Sequence, residues 1–352
     1  MRGRGDRLEE LLGERELDRL LVTELTNVRY LTGFTGTNGA CICGPGVRLF
    51  LTDFRYTERA AAEVEGWEPV TVEGDWLGAI AERLQGRAGF EDDHLSVRSL
   101  ERLRGKLGEG VEAVPAGGLV ERLRRVKDEV ELGAIAEASK LADQVWQWSL
   151  ERGLAGRGER DVARAAEARI RELGGDPSFP AIVAAGPNGA LPHAEPGERE
   201  IGRGELVVFD MGAKLDGYCS DGTRTYATGE LGEEARAVYE TVLEAQLAAL
   251  GAIRAGVRGE DIDGIARKVI EAAGHGERFG HGLGHGVGLE VHEGPRLSLR
   301  SDDVLAVGEV VTVEPGIYLP GQLGVRIEDL VVVTEDGYTN LSALPKSLQI
   351  VD

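Results

Sequence analysis

The sequence is poor in cysteine and in basic residues, and both deficits exclude classes of protein. Three cysteines among 352 residues (Cys41, Cys43 and Cys219) cannot build a disulfide framework. The 61 acidic residues outnumber the 40 basic ones, which gives a formal net charge of -21. This charge repels the phosphates of nucleic acids and anionic lipids. We therefore expect no nucleic-acid partner.

Long hydrophobic runs are also missing. No apolar run approaches the ~20 residues that a membrane-spanning helix needs. The first residues, MRGRGDRLEE, lead into a polar amphipathic stretch rather than into the apolar core of a signal peptide. We therefore expect a cytoplasmic protein without a membrane partner.

The length predicts two domains, because 352 residues exceed what one hydrophobic core usually serves. Hydrophobic residues make up 42% and charged residues 29%, which is typical of soluble globular proteins. Short apolar runs alternate with amphipathic stretches up to residue 118, which predicts an α/β domain over residues 1–118. Residues 119–132 are predicted to link this domain to a second one over residues 133–352.

A long charged helix is predicted from about 119 to 152. Its apolar positions fall roughly at helical spacing, at Val126, Val130, Ile135 and Leu141. We expect this helix to carry the chain into the second domain.

The second domain is predicted to be α+β, an antiparallel sheet covered by helices, because its helices are grouped and its strands are joined by turns. Helices are predicted at 161–173, 233–255 and 260–273. Strands are predicted in the segments PAIVAAG, ELVVFDMG, GYCSDGTRTYAT, EVVTVEPGIYL and GVRIEDLVVVTEDG.

Four carboxylates in this domain end or interrupt apolar strand patterns. They are Asp210, Asp221, Glu314 and Glu328, and four of the six histidines accompany them at His193, His281, His285 and His292. A carboxylate inside a strand pattern is costly unless it is paired or bound to a metal. One such residue is adequately explained by a solvent-facing position, but four of them with histidines nearby favour a functional site.

Asp210 and Asp221 can be placed against each other from the turn between them. Asp216-Gly217 is a strong signal for a two-residue hairpin loop. In that register Asp210 faces Thr223 and Asp221 faces Gly212, so both aspartates lie on one face. Two carboxylates this close need a shared proton or a cation between them.

The segment HGLGHGVGLEVHE places glycine at alternate positions around His281 and His285, which disfavours a helix and allows close backbone approach. Ligation by two Asp, two Glu and one His suits Mn, Co or Zn, and it is too acidic for a typical structural zinc site. Two ions held together can ionise a bridging water at neutral pH, which predicts a hydrolase with a hydroxide nucleophile.

Four strings in this order resemble one enzyme family: FDMGAKLDGYCSDGTRT, HGLGHGVGLEVHE, TVEPGIY and GVRIED. They are similar to the metal-dependent Xaa-Pro peptidases, prolidase and aminopeptidase P, which have the pita-bread fold. The strings LTNVRYLTGFTGTNGA and LTDFRY resemble the creatinase-type N-terminal domain of the same enzymes. The resemblance implies a pita-bread metallopeptidase domain after a creatinase-like domain, and a homodimer.

The resemblance also implies residue roles. Two divalent ions would be bound by Asp210, Asp221, His285, Glu314 and Glu328, with Asp221 and Glu328 bridging them. Glu314 would be the general base, and His292 would stabilise the tetrahedral intermediate or its leaving nitrogen. His193 and His281 would line the substrate site.

Two arginines have open interpretations. Arg326 is expected to hold a ligand carboxylate, with a solvated strand position as the alternative. Arg296 is expected to bind the free carboxylate of a dipeptide, with an ordinary surface position equally compatible with the sequence.

The expected substrate is a short proline-containing peptide. Prolidase, acting on dipeptides, is slightly preferred over aminopeptidase P, acting on longer peptides. A catalytically inert pita-bread binding protein is disfavoured, because all five ligand positions carry competent ligands.

Overall fold

The computed structural model describes residues 3–351 and divides into two compact units, one ending at Arg124 and one beginning at Arg125. The division falls within the 119–132 segment that was predicted as a linker. Among the residues that the structure describes, no helix has the length and apolarity needed to cross a lipid bilayer.

The first unit is built on one mixed six-stranded sheet in the order β4-β3-β2-β1-β5-β6. Its strands are β1 Arg19–Val22, β2 Ala40–Gly44, β3 Val47–Thr52, β4 Glu68–Thr71, β5 Arg87–Phe90 and β6 Glu112–Pro115. Its helices are α1 Arg4–Glu14, α2 Leu25–Thr32, α3 Thr57–Glu63, α4 Trp76–Ala81, α5 Val97–Arg104 and α6 Leu119–Arg125. The apolar strands β1 and β2 are buried at every position because helices pack against this sheet.

The second unit consists of four helices and several small antiparallel sheets. The helices are α7 Glu129–Leu150, α8 Glu159–Glu172, α9 Glu233–Leu250 and α10 Gly259–Ala272. The first strands are β7 Asp176–Pro177, β8 Ile182–Ala185, β9 Leu206–Asp210, β10 Ala213–Leu215, β11 Tyr218–Cys219 and β12 Thr223–Ala227. The others are β13 Gly284–Gly286, β14 Glu293–Leu297, β15 Val310–Val313, β16 Gly316–Leu319, β17 Leu323–Arg326, β18 Asp329–Val333 and β19 Tyr338–Asn340.

Most strands of the second unit belong to two sheets. One has the order β12-β9-β8, and the other has the order β14-β13-β15-β18-β19. Apolar side chains of α7 and α8 pack with β8, β9 and Tyr226 of β12, whereas those of α9 and α10 pack with β15, β16, β17 and β18. The pairings between the strands named above for this unit are antiparallel, and one isolated parallel bridge joins Ala227 to Ile350.

The prediction of one long helix from 119 to 152 is wrong. The chain forms α6 and α7 instead, with a break at residues 126–128. Asp128 caps α7 by accepting the backbone N–H of Glu131, whose side chain accepts the N–H of Asp128. Val126 and Val130 are exposed rather than part of an apolar helix face.

Three predicted continuous strands are each two strands. GYCSDGTRTYAT forms β11 and β12, EVVTVEPGIYL forms β15 and β16, and GVRIEDLVVVTEDG forms β17 and β18. The interruptions fall at Asp221, Glu314 and Glu328 because the chain passes from one sheet to another at these points. Each acid therefore lies where a strand ends.

The hairpin register predicted from Asp216-Gly217 is confirmed. Leu215 pairs with Tyr218, and Asp210 pairs with Thr223. Asp216 and Gly217 both have positive φ, of 47° and 85°, as a type I′ turn requires.

The two helix pairs of this unit repeat one backbone arrangement about 100 residues apart. The N–H of Gly156 donates to Ile201 and the N–H of Glu159 donates to Arg199. In the second pair the N–H of Gly256 donates to Leu305 and the N–H of Gly259 donates to Asp303. The first turns of α8 and α10 are thus tied to the loops beside them in the same way.

The hairpin geometry predicts opposite effects for two Gly→Ala substitutions. Gly217→Ala places a side chain at positive φ and should lower the free energy of unfolding by about 1 kcal/mol. The matched control Gly264→Ala lies inside α10 with no atom near its added Cβ, so it should raise that energy by roughly 0.5–1 kcal/mol. Urea unfolding measures both. Equal effects would contradict the turn assignment.

Candidate metal centre

Three carboxylates converge in the second unit. Asp210 ends β9, Asp221 lies between β11 and β12, and Glu328 lies between β17 and β18. Their side chains offer oxygen atoms that all lie within 4.8 Å of one another. All three residues are buried.

His285 lies between this triad and Glu314, the remaining predicted ligand. Its Nε2 lies 3.5 Å from Asp221 Oδ2 and 3.3 Å from Glu314 Oε1. The Thr312 hydroxyl accepts the backbone N–H of His285 and donates to Glu314 Oε1. The five predicted ligands therefore form one connected cluster.

Alternating glycines allow the strand that carries His285 to approach its neighbours. A Cβ atom on Gly284 would lie 2.0 Å from the carbonyl oxygen of Thr312, and one on Gly286 would lie 2.0 Å from that of Gly294. No side chain fits in either space. The glycine pattern therefore reflects close backbone packing on both sides of His285.

Burial and mutual repulsion dominate the electrostatics of the triad. Burial, followed by the charges of Glu328 and Asp210, raises the pKa of Asp221 well above its usual value. Burial and then Glu314 and Asp210 raise the pKa of Glu328, and burial raises that of Asp210 despite Arg326. A bound cation would remove this cost.

Glu314 behaves differently because it faces His285. Burial alone would raise its pKa, but the hydrogen bond and charge of His285 outweigh burial and lower it to about 2. Burial opposes protonation of His285, and Glu314 nevertheless raises the pKa of that imidazole. Each of these two groups thus favours the charged form of the other.

Two oxygen atoms of the triad fit a metal site. Asp210 Oδ1 and Glu328 Oε1 are buried and have no hydrogen-bond partner within residues 3–351. A buried carboxylate oxygen without a partner is unfavourable unless a cation lies against it. The oxygen-rich donor set with one imidazole matches divalent ions of hard or borderline character.

Arg326 supports the cluster from one side. It is buried, and its Nη2 donates to Asp210 Oδ2 at 2.6 Å. Its other nitrogens donate to the Thr223 hydroxyl, the Tyr318 hydroxyl and the Pro192 carbonyl. The structure thus shows the contact with a site carboxylate that the resemblance implied.

His281 contacts this arginine network. Its Nδ1 bonds the Gly282 carbonyl, which can only accept, so Nε2 accepts the hydroxyl proton of Tyr318 at 2.9 Å. Burial lowers the pKa of His281 and keeps the ring neutral. Both ring nitrogens are occupied, so His281 reaches the site through Tyr318 and Arg326.

Of the other two predicted histidines, His292 lies beside His285, and His193 lies close enough to His292 to affect its pKa. The rings of His285 and His292 have centroids 4.4 Å apart in an edge-to-face arrangement. Burial and then the charge of His285 lower the pKa of His292, and His193 contributes further. His193 is exposed.

Arg296 pairs in register with His285 across β13 and β14. Its side chain is exposed, and its backbone N–H donates to Asp303 Oδ2. The guanidinium is therefore accessible at the edge of the cluster.

Three residues of the site were missed from the sequence. The Thr223 hydroxyl donates to Glu328 Oε2 at 2.8 Å, Thr312 joins His285 to Glu314, and Tyr318 joins His281 to Arg326. The predicted hairpin placed Thr223 opposite Asp210, which was a usable signal. Thr312 and Tyr318 depend on how separate strands meet.

Two family models match the chain. Metallopeptidase family M24 matches residues 133–335, and the creatinase/prolidase N-terminal domain matches residues 4–126. The chain belongs to metallopeptidase family M24. The predicted pita-bread fold with a creatinase-like N-terminal domain is confirmed, as is the prediction of a metal-dependent hydrolase.

Other M24 members match along almost the whole chain. An Xaa-Pro dipeptidase from Bacillus anthracis is 40% identical with a TM-score of 0.96, covering 99% of both chains. An X-Pro aminopeptidase from Thermotoga maritima is 36% identical with a TM-score of 0.91, covering 98% of this chain and 100% of that one. An Xaa-Pro dipeptidase from Pyrococcus furiosus is 36% identical over 99% of this chain and 100% of its own length.

Carboxylate crowding predicts that Asp221→Asn has opposite effects with and without metal. In chelator-treated protein it should raise Tm by at least about 2 °C, because one of the crowded charges is removed. With excess Mn²⁺ the wild type should gain more than the variant, since ligand binding stabilises the native state.

Differential scanning fluorimetry measures both states. The control Glu240→Gln, an exposed acid on α9, should leave both Tm values unchanged. An Asp221→Asn protein that gains as much from Mn²⁺ as the wild type would contradict a metal site at the triad.

Proposed function

We propose that this protein hydrolyses the Xaa-Pro bond of dipeptides with the help of two divalent metal ions. The observation that carries the proposal is the five-residue cluster built on the buried triad, in which Asp210 and Glu328 each have an oxygen without a hydrogen-bond partner among the described residues. The similarity to the Bacillus anthracis Xaa-Pro dipeptidase over 99% of the chain supports the substrate class.

Two divalent ions, Mn, Co or Zn, would be held by Asp210, Asp221, His285, Glu314 and Glu328, and Asp221 and Glu328 would contact both. Asp221 offers an oxygen within 4.8 Å of oxygens on Asp210 and Glu328, and its Oδ2 lies 3.5 Å from His285 Nε2. This central position supports the sharing. Bound ions of this kind polarise a scissile carbonyl and lower the pKa of a water molecule toward neutrality.

The chain's own residues handle protons and charge. Glu314 is assigned as the general base, which takes a proton from the attacking water and passes it to the leaving nitrogen. His292 is assigned to stabilise the tetrahedral intermediate or that nitrogen, and His193 lines the substrate site. Arg326, supported by Tyr318 and His281, holds Asp210 in place.

A peptide bond before proline has a tertiary nitrogen and a restricted backbone, so its hydrolysis requires a dedicated pocket. A dipeptide additionally presents a free carboxylate close to the scissile bond. Arg296 is the residue that we assign to it, because an exposed guanidinium beside His285 can form a bidentate pair.

The second candidate is an aminopeptidase that acts on longer Xaa-Pro peptides. The likeness to the Thermotoga maritima X-Pro aminopeptidase, with a TM-score of 0.91, favours it. An inert binding protein is disfavoured by the complete set of candidate ligands. The homodimer and the cytoplasmic location stay predictions.

Substrate length separates the two enzymes. Metal-reconstituted protein should hydrolyse Ala-Pro, should leave Ala-Ala largely intact and should cleave Ala-Pro-Ala poorly. Product analysis by chromatography measures all three reactions in parallel. Cleavage of the tripeptide alone would favour the aminopeptidase, and cleavage of none would contradict the proposal.

Replacing Arg296 tests carboxylate recognition. Arg296→Ala should raise KM for Ala-Pro at least about tenfold, because a charge-assisted pair is lost. Arg300→Ala, which removes another exposed arginine four positions away, should leave KM unchanged. An unchanged KM in Arg296→Ala would remove this residue from the substrate site.

A further inference from the structure

Glu159 is a fully buried carboxylate that the reaction described above does not use. It lies in the first turn of α8 with zero exposure. Its Oε1 accepts the N–H of Ala185 at 2.8 Å, and its Oε2 accepts the N–H of Gly197 at 3.1 Å. The side-chain amide of Asn188 donates to both oxygens.

These contacts close a loop. Ala185 is the last residue of β8, and eleven residues separate it from Gly197, so one carboxylate holds both ends of the 186–196 loop. Asn188 is a residue of this loop, so its hydrogen bonds to Glu159 hold the loop at a point between its two ends. The other end of the loop is also tied to α8, because Arg160 donates to the Pro196 and Gly197 carbonyls.

The loop carries His193 and reaches the metal centre. The Pro192 carbonyl, one residue before His193, accepts a hydrogen bond from Arg326 Nη1 at 3.1 Å. Arg326 in turn donates to Asp210. A displacement of the loop base would therefore also move His193, which has an exposed side chain and lies outside the helices and strands.

We propose that Glu159 is a positioning residue, which holds the 186–196 loop so that His193 faces the substrate. The inference rests on the proposed function, because it assigns His193 to the substrate site. A buried carboxylate is costly, and here several donors, including two backbone N–H groups, compensate that cost. An apolar side chain could fill the same space but could not join both ends of the loop.

The second helix pair, α9 and α10, contains a buried carboxylate with a similar role. Asp263, in the first half of α10, is fully buried and accepts the N–H of Leu283 at 2.9 Å. Leu283 lies between His281 and His285. Each helix pair thus supplies one buried acid to the backbone of a segment that carries site histidines.

A double-mutant cycle tests the proposal. Glu159→Gln replaces one acceptor oxygen by an amide that would face N–H donors, so one backbone hydrogen bond and one hydrogen bond from Asn188 are lost, whichever oxygen is replaced. It should lower kcat/KM for Ala-Pro on the order of tenfold, because small displacements of a site group are costly. In His193→Ala, itself reduced on the order of a hundredfold, Glu159→Gln should change kcat/KM less than about twofold.

Glu91→Gln is the matched control. Glu91 is a buried carboxylate of the first unit, and it also accepts two backbone N–H groups and an asparagine amide, from Thr23, Glu24 and Asn27. Glu91→Gln should lower the free energy of unfolding about as much as Glu159→Gln does. It should change kcat/KM by the same small factor in the wild type and in His193→Ala. An equal loss from Glu159→Gln with and without His193 would overturn the proposal, as would no loss in the wild type.

Asn188→Ala is the milder variant for use if Glu159→Gln does not fold. It removes the amide that bridges the two oxygens, and the same coupling with His193→Ala is expected. Additive effects of Asn188→Ala and His193→Ala would overturn the proposal in the same way.

Hydrogen exchange gives a readout that needs no activity. In metal-free Glu159→Gln, amides in the 185–197 segment should exchange at least about tenfold faster, while those of β9 keep their wild-type rates. Unchanged exchange in this segment would overturn the loop assignment. A wild type that cleaves no peptide would defeat the proposed function and leave this exchange result standing.

Discussion

The burial of three carboxylates within 4.8 Å of one another is the constraint on which the site depends. Arg326 partly compensates Asp210, whereas Glu328 and Asp210 oppose ionisation of Asp221, and Glu314 and Asp210 oppose ionisation of Glu328. Such a cluster is unstable at neutral pH unless protons or cations enter it. One oxygen of Asp210 and one of Glu328 have no hydrogen-bond partner among residues 3–351, which favours a cation there. A cation bound there would supply the charge with which metallopeptidases activate water and a carbonyl.

The fold meets this constraint by ending strands at the site. Asp210, Asp221, Glu314 and Glu328 all lie at a strand end or between two strands, so the polar groups avoid the apolar interior of a sheet. Around them the hydroxyls of Thr223, Thr312 and Tyr318 fix the orientation of the acids and histidines, and these hydroxyls come from three different strands. The carboxylates are therefore oriented before any ligand binds, which is what catalysis requires of a preorganised site.

Local chemistry explains what could be predicted. The Asp216-Gly217 turn determines a register, and the register alone places Asp210 beside Asp221. Interrupted apolar strand patterns indicated Glu314 and Glu328, and the resemblance selected His285 among the histidines and supplied the family. The break at residues 126–128 had a local signal, the Asp128–Glu131 capping box, which the helical spacing of apolar residues obscured. Tyr318 depends on longer-range geometry, because it contacts Arg326 where β16 and β17 form their own small sheet. Glu159 was not singled out, since a glutamate in a first helical turn is ordinary and its burial is visible only in three dimensions.

Anomalous diffraction from crystals of the Mn²⁺-loaded protein tests the central claim most directly. The account predicts two manganese peaks enclosed by Asp210, Asp221, His285, Glu314 and Glu328, with Asp221 and Glu328 contacting both. Peaks elsewhere on the molecule, or an empty cluster at saturating Mn²⁺, would contradict it.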